Sequence, residues 1–411
     1  MRLLYSAGIY AYNAAVSITA LTGHPKARKW VSGRKNILQR ITPMPPKTKT
    51  AWFHCASLGE FEQGRPVIEE FRKKYPDFKI ILTFFSPSGY EIRKNYSDAD
   101  FIYYLPADTP RNAVRFINKI NPDIAIFIKY EFWFNYLKVL QKKQIPVYLV
   151  SGIFRKNQHF FSWYGSWFRE HLKAFDKFFV QDENSYQLIE SILPGKSLVT
   201  GDTRFDRVSG IAQQAKPFPD ISAFKNDKTL FLAGSTWPAD EDVFIPVLRD
   251  AMAEHDIKMI IAPHEVGEQR IRALMDKLPE GAVRYSQAKG NFSDMRILVI
   301  DSIGLLSHLY QYGSIAYIGG GFGAGIHNTL EAATFGLPVI FGPNYRKFRE
   351  AVELIETEAA FSIRTEKEFR DSFFSLLQKN DLRKKAGARA RNYVNARKGS
   401  TEKILSHIKI Y

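Results

Sequence analysis

From Ala51 to Thr200, apolar runs of three to five residues alternate with amphipathic stretches, and few folds accept that pattern. Ala51–His54, Lys79–Thr83, Phe101–Leu105, Ile124–Ile128, Val147–Val150, Phe178–Val180 and Ser197–Thr200 read as short buried strands. Arg65–Tyr75, Pro110–Ile120 and Phe132–Lys142 read as helices between them. Strands apolar on both faces, with helices between, specify a parallel sheet covered on both sides. A second series comprises Leu230–Ala233, Lys258–Ala262, Arg296–Ile300, Ile315–Ile318 and Pro338–Phe341. Its helices are Asp240–His255, Glu268–Lys277, Ile303–Tyr310, Asn328–Phe335 and Tyr345–Thr357. Between the two series, the polar stretch from Arg207 to Asp227 reads as a hinge. The expectation is an α/β chain with two domains, residues 50–210 and 225–411, facing each other across a cleft. The closing helical stretch, about Glu366 to Lys409, breaks near Asn380-Asp381 and belongs to the second domain or packs back on the first.

The first 49 residues stand apart in composition. No Asp or Glu occurs from Met1 to Gly59, whereas Arg2, Lys26, Arg28, Lys29, Arg34, Lys35, Arg40, Lys47 and Lys49 supply nine of the positive charges behind a net +16. Such a segment is drawn to phosphate on anionic lipid or nucleic acid. The preceding uncharged stretch, Leu3–Leu21, favours lipid. It barely reaches spanning length, and Ser6, Asn13, Ser17 and Thr19 dilute it, so an interfacial helix and a true span are both open. A buried first helix of a soluble domain and a cleaved signal peptide are the blander alternatives. Lysines and arginines after the apolar stretch place the bulk of the protein on the cytoplasmic side. Pro43-Met44-Pro45-Pro46 ends this membrane-associated region as a linker. The single cysteine, Cys55, excludes an internal disulfide and any multi-cysteine zinc site.

Ligands of open α/β sheets collect beyond the carboxyl ends of strands. Ser57-Leu58-Gly59-Glu60 follows the first strand, and a carboxylate there can accept a proton from an attacking hydroxyl. The bare alternative makes Glu60 a first-turn residue complementing the helix dipole. Gly319-Gly320-Gly321-Phe322-Gly323-Ala324-Gly325 follows the strand Ile315–Ile318 and precedes a helix expected near Asn328. Its amides could cradle an anion, with Glu331 holding a sugar hydroxyl, or it could serve only as a sharp turn. It is not the dinucleotide fingerprint, because no acidic residue stands some twenty positions on. Ser235 and Thr236, Pro263 and His264, and Asp301 with Ile303 and Gly304 also follow strands; helix capping and structural packing are their bland readings. Lys129 and Glu131 flank Tyr130 after Ile124–Ile128, where a surface ion pair is the plain alternative. His264, His308 and His327 lack paired spacing on one helix face, so no metal is expected.

Together these segments resemble the Kdo (3-deoxy-D-manno-octulosonic acid) transferases over nearly the whole chain from Trp52 onward. The family's Ser-x-Gly-Glu element is Ser57-Leu58-Gly59-Glu60; its Glu-x-Trp-Pro-Asn element is Glu131-Phe132-Trp133-Phe134-Asn135. Its Lys-Phe-Asp element is Arg204-Phe205-Asp206, and its His-Asn-x-x-Glu signature is His327-Asn328-Thr329-Leu330-Glu331, followed by Gly342-Pro343-Asn344. The resemblance implies a GT-B fold of two Rossmann-like domains and an inverting transfer of Kdo from CMP-Kdo to a lipid A precursor hydroxyl in lipopolysaccharide biosynthesis. It implies Glu60 as general base, with Glu131 and Arg204 assisting the transition state. Ser57, Gly59, Lys129, Ser235, Thr236, Pro263, His264, Asp301, Ile303, Gly304, Leu305, Gly320, Gly321, Gly323, Asn328, Thr329, Leu330 and Glu331 would bind substrate. CMP-Kdo is then a donor substrate and no cofactor is expected. The partners are lipid A precursor and an anionic membrane surface rather than nucleic acid, and the setting is the cytoplasmic face of a bacterial inner membrane. The chain departs from the family pattern at Pro263-His264-Glu265, where an arginine is usual, at Leu305 in place of a glutamate, and at Phe134 in place of a proline. Competing readings are a GT-B transferase or epimerase using a UDP-sugar, and a non-enzymatic basic lipid-binding protein.

Overall fold

A computed structural model describes residues 1–410. The chain divides into two compact units, Met1–Arg207 with Lys398–Tyr411, and Val208–Arg397.

The first unit is built on seven parallel strands: β1 (Thr50–Cys55), β2 (Lys79–Phe84), β3 (Phe101–Tyr104), β4 (Ile124–Ile128), β5 (Val147–Gly152), β6 (Lys177–Val180) and β7 (Ser197–Val199). Their order is β3-β2-β1-β4-β5-β6-β7, so the direction of winding reverses between β1 and β4. All six residues of β1 and all five of β4 are buried, which is why β4 is a continuous apolar run and β1 is apolar apart from Thr50 and His54.

The second unit repeats the plan with β8 (Thr229–Thr236), β9 (Ile257–Pro263), β10 (Ala282–Arg284), β11 (Ile297–Val299), β12 (Ile315–Ile318), β13 (Val339–Phe341) and β14 (Ala360–Ser362). Their order is β10-β11-β9-β8-β12-β13-β14, and here the reversal falls between β8 and β12. Its core gathers Phe231, Phe244, Tyr317, Phe369 and Phe373.

Two expectations need correction. The stretch from Arg207 to Asp227 is not an open hinge: it holds most of the helix Arg204–Gln213 and the helix Pro219–Lys225, whose Ile221 and Phe224 are fully buried. Residues 1–49 belong to the first unit and do not form a region of their own. Helix Pro25–Arg34 is fixed by Arg34, whose guanidinium donates to the carbonyls of Leu105 (3.0 Å) and Phe85 (2.6 Å) and lies 4.0 Å from the Trp30 ring. Burial lowers Arg34 to about 9. The closing region is three helices, Glu366–Gln378, Asn380–Asn395 and Ser400–His407, and the last of them belongs to the first unit, one of the two placements the sequence allowed.

Helix Arg2–Leu21 buries only Ser6 and leaves Leu3, Leu4, Ile18 and Leu21 exposed. Among the described residues no helix is long and apolar enough to cross a membrane. Phe134, standing where the family has proline, is buried and seats this helix: its ring lies 4.9 Å from Tyr5.

Candidate functional site

Where winding reverses in a parallel sheet, the loops on either side diverge and leave a crevice. In the first unit these are the loops after β1 and β4. Glu60 lies in the first turn of the helix Leu58–Lys74, Ser57 stands at its N-terminal boundary, and the Ser57 hydroxyl donates to the Glu60 carboxylate. Glu60 is half-buried and Gly59 is exposed. After β4, Lys129 adopts a left-handed backbone (φ 69°) and places its ammonium 5.2 Å from the Tyr130 ring. Burial raises the Tyr130 phenol above its usual range; Arg155 opposes the shift, Glu60 and Asp182 reinforce it, and Arg204 opposes it.

Glu131 is 7% exposed, and its Oε2 is met by His54 Nε2 at 3.1 Å and by the Trp133 indole N–H at 2.5 Å. It is not the surface ion pair that the sequence also allowed. Arg204 is aimed by Asp202, which takes bonds of 2.8 Å from both Nε and Nη2 and is itself bonded by Gln63 at 3.2 Å. Asp206 turns elsewhere: it accepts from the Gly399 and Thr401 amides and the Thr401 hydroxyl, capping the last helix.

In the second unit, the loops after β8 and β12 flank the reversal. Ser235 is held left-handed (φ 54°) and is half-buried. Thr236 is buried and gives its hydroxyl to Glu241 at 2.8 Å, so it is spent inside the fold rather than offered to substrate.

The glycine loop also needs correction as an amide cradle. The Gly319 amide bonds Gly234 O, the Gly320 amide bonds the Asp240 carboxylate at 2.9 Å, and the Gly323 and Gly325 amides bond Gly320 O. A Cβ on Gly319 would lie 2.3 Å from Ser235 O, and one on Gly321 would lie 2.6 Å from the Gly342 backbone. The glycines thus let three backbone segments touch. The helix beyond begins only at Leu330 and is five residues long. Thr329 and Leu330 are fully buried and support it, while Asn328 spans to Glu331 at 3.1 Å and both stay half-buried.

His264 is exposed beyond Pro263, and its ring stacks on Trp237 (4.8 Å) and His327 (4.4 Å). The Trp237 N–H donates to His327 Nε2 at 3.1 Å. Burial, with His264 adding to it, lowers His327 to about 4. On the β11 side, Asp301 accepts from the Ser286 amide (3.1 Å), Ile303 is 87% exposed, Gly304 takes φ 97°, and Leu305 is half-buried. An exposed isoleucine beside a left-handed glycine is an apolar shelf at a strand end.

Residues 31–207 match the family model described as 3-Deoxy-D-manno-octulosonic-acid transferase (kdotransferase). A 3-deoxy-D-manno-octulosonic acid transferase of Haemophilus influenzae is 23% identical over 398 residues, 94% of this chain and 92% of the relative. One from Aquifex aeolicus is 27% identical over 79% of this chain and 85% of its own. Residues 31–207 are thus a Kdo transferase domain, and the curated Kdo transferases similar to this chain align over most of its length. The fold is GT-B, as solved structures show. A UDP-GlcNAc 2-epimerase from Neisseria meningitidis bound to UDP-GlcNAc aligns with TM-score 0.60 at 16% identity over 87% of this chain and 98% of that one. The corresponding epimerase from Methanocaldococcus jannaschii aligns with TM-score 0.54 at 18% identity over 84% and 99%.

Within this chain, the first unit, which holds the Kdo transferase domain, brings Ser57, Glu60, Lys129, Glu131 and Arg204 to the ends of its strands. The second brings Ser235, His264, Ile303, Gly304 and Asn328 to the ends of its own. His54, Asp202 and Asp240 were missed, although a histidine inside a wholly apolar strand was a readable signal for the first. Asp240 is buried and holds the Trp237 amide, the Gly320 amide and the Tyr317 hydroxyl, each at 2.9 Å.

Proposed function

We propose that this chain transfers Kdo from CMP-Kdo to a hydroxyl of a lipid A precursor, with inversion, at the membrane surface. The observation that carries the reading is the emergence of Glu60 and Glu131 from the two loops beside the β1/β4 reversal of a Kdo transferase fold. Glu60 removes the acceptor's proton as its oxygen attacks the anomeric carbon and CMP departs with the bonding pair. Inversion needs one in-line displacement, so one base suffices and no covalent enzyme intermediate forms. Arg204, aimed by Asp202, meets negative charge as it develops. In the second unit, Ile303 and Leu305 offer apolar surface to the base of CMP, and Ser235, His264 and Asn328 offer polar contacts. No metal is assigned a part.

The acceptor's lipid character suits the first unit. An apolar groove of about 520 Å³ lies along the N-terminal helix, walled by Tyr12, Trp30, Phe85 and Ile92 and bordered by Lys26, Lys29 and Glu91, the last engaged by the Tyr104 hydroxyl at 3.1 Å. Apolar walls with an ammonium rim match an acyl chain bearing a phosphorylated head. On this reading the helix lies in the membrane interface at its cytoplasmic face.

Because the fold is shared with UDP-GlcNAc 2-epimerases, the nucleotide is the discriminating variable. Titration calorimetry of the full chain should show CMP binding and little heat from UDP. Tighter binding of UDP than CMP would replace this reading with a UDP-sugar enzyme.

A further inference from the structure

We propose that His54 is the positioning residue of the first unit's site, acting through Glu131; this rests on Glu131 taking part in the transfer. His54 is the fifth residue of β1, is fully buried, and is the only imidazole in a strand otherwise filled by Thr50, Ala51, Trp52, Phe53 and Cys55. A buried imidazole is retained only if its two nitrogens are satisfied, since an unpaired polar group in an apolar interior costs about 1–3 kcal/mol.

Both nitrogens are engaged, and the tautomer with its proton on Nε2 is the one that gives Glu131 a donor from the ring. The Trp52 indole N–H gives its proton to Thr83 Oγ1 at 2.8 Å. The Thr83 hydroxyl then has its own proton to give, and His54 Nδ1 at 2.8 Å is nearer than the Phe53 carbonyl at 3.3 Å. With Nδ1 accepting, the ring proton sits on Nε2 and is donated to Glu131 Oε2 at 3.1 Å. The Trp133 N–H lies 2.5 Å from that same oxygen and 3.0 Å from His54 Nε2; with the ring proton on Nε2 it goes to the carboxylate. Two N–H donors on Oε2 lock the carboxylate's rotation and leave Oε1 as the oxygen turned to the reaction. Among the described residues no hydrogen bond engages Oε1. The ring is also fixed by packing, with Phe127 at 5.8 Å and Trp133 at 6.1 Å from its centroid.

His54 thus reads out the sheet: Thr83 is on β2, His54 on β1, and Glu131 follows β4, so three adjacent strands are tied to one carboxylate across the reversal point. Preorganisation of this kind matters because a carboxylate free to rotate is seldom aimed.

The test uses the full chain with CMP-Kdo and lipid A precursor and compares His54→Phe, His54→Gln, Glu131→Gln and the double variant His54→Phe/Glu131→Gln. Phenylalanine keeps the bulk and loses the donor, whereas glutamine places an amide N–H near the position of Nε2. The expected result is a loss of about 10–100-fold in kcat for His54→Phe, the range typical of supporting hydrogen bonds, with KM for CMP-Kdo within about twofold. His54→Gln should recover to within about threefold of the native rate, and the double variant should be no slower than Glu131→Gln. A His54→Phe enzyme that keeps its kcat, or losses that multiply in the double variant, overturns the proposal. A Glu131→Gln enzyme with native kcat overturns instead the part given to Glu131. A merely structural histidine would lower thermal stability alike in both His54 variants and show no rescue by glutamine.

Discussion

The phenol of Tyr5 donates a 2.6 Å hydrogen bond to Asp108, a carboxylate 1% exposed that also accepts from the Asn135 and Tyr136 amides at 3.1 Å. This bond ties the N-terminal helix to the turn that follows Glu131 and Trp133, so the segment that would meet lipid is joined to one wall of the site.

Burial pushes Asp108 up to about 6 despite these donors. Its folded value therefore lies above the ordinary carboxylate value of about 3.9. The charged form is penalised in the fold above pH 6, and the penalty fades as pH falls from about 6 towards 4, so this group adds stability on acidification through that window. Tyr5→Phe should cost about 2 kcal/mol at pH 7.5, where the bond is charge-assisted, and visibly less at pH 5. Urea unfolding at the two pH values measures it; an equal cost at both would show that Asp108 does not titrate there.

Asp206 belongs to a motif that resembles a catalytic element, yet it caps the last helix. Asp206→Ala should cost about 2 kcal/mol, at the upper end for a helix cap, and make the chain near Lys398 more sensitive to trypsin. Purified variant and native chain are compared by limited proteolysis and urea unfolding, and an unchanged digestion pattern would contradict the clasp.

The glycine loop gives a paired contrast. Gly321→Ala forces a Cβ to 2.6 Å from the Gly342 backbone, whereas at Gly323 the nearest atom is Gly320 O at 3.7 Å. The first should lose about 2 kcal/mol through overpacking and the second close to none. CMP binding by calorimetry should survive Gly323→Ala. Equal loss of binding in both variants, with stability intact, would restore an amide cradle.

His327 carries a pH signature of opposite sign to Asp108. Its folded value, about 4, lies below that of an exposed histidine. The unfolded chain binds the extra proton between pH 6.5 and 4, so the stability owed to neutral His327 is complete above that window and is lost as pH falls through it. Melting curves between pH 7 and 4.5 should show less acid destabilisation in His327→Gln than in the native chain; parallel curves would contradict this.

Buried parallel strands were legible because an element covered on both faces needs a largely apolar run, as β4 shows. β10 and β14, three residues each, were not read: β10 is half-exposed along its length and sits at an edge. Helix Pro25–Arg34 was hidden by its basic composition, although His24 caps it and Pro25 opens it. Glu60 and Glu131 were found because they follow strands in a recognisable motif. The glycine loop was found and its purpose misread, because spacing cannot say whether an amide points to a ligand or to a distant Asp240. His54 was passed over as the end of an apolar run, since its value depends on Thr83 and Glu131, 29 and 77 residues away.

The most direct test of the central claim is to incubate the native chain and Glu60→Gln with a CMP-Kdo generating system and lipid A precursor, and weigh the lipid products by mass spectrometry. Loss of the general base should slow transfer by about 10²–10⁴-fold. The prediction is Kdo mass increments on the precursor with the native chain and almost none with Glu60→Gln over the same interval. A precursor left at its starting mass by the native chain, or equal increments from both proteins, would contradict the account.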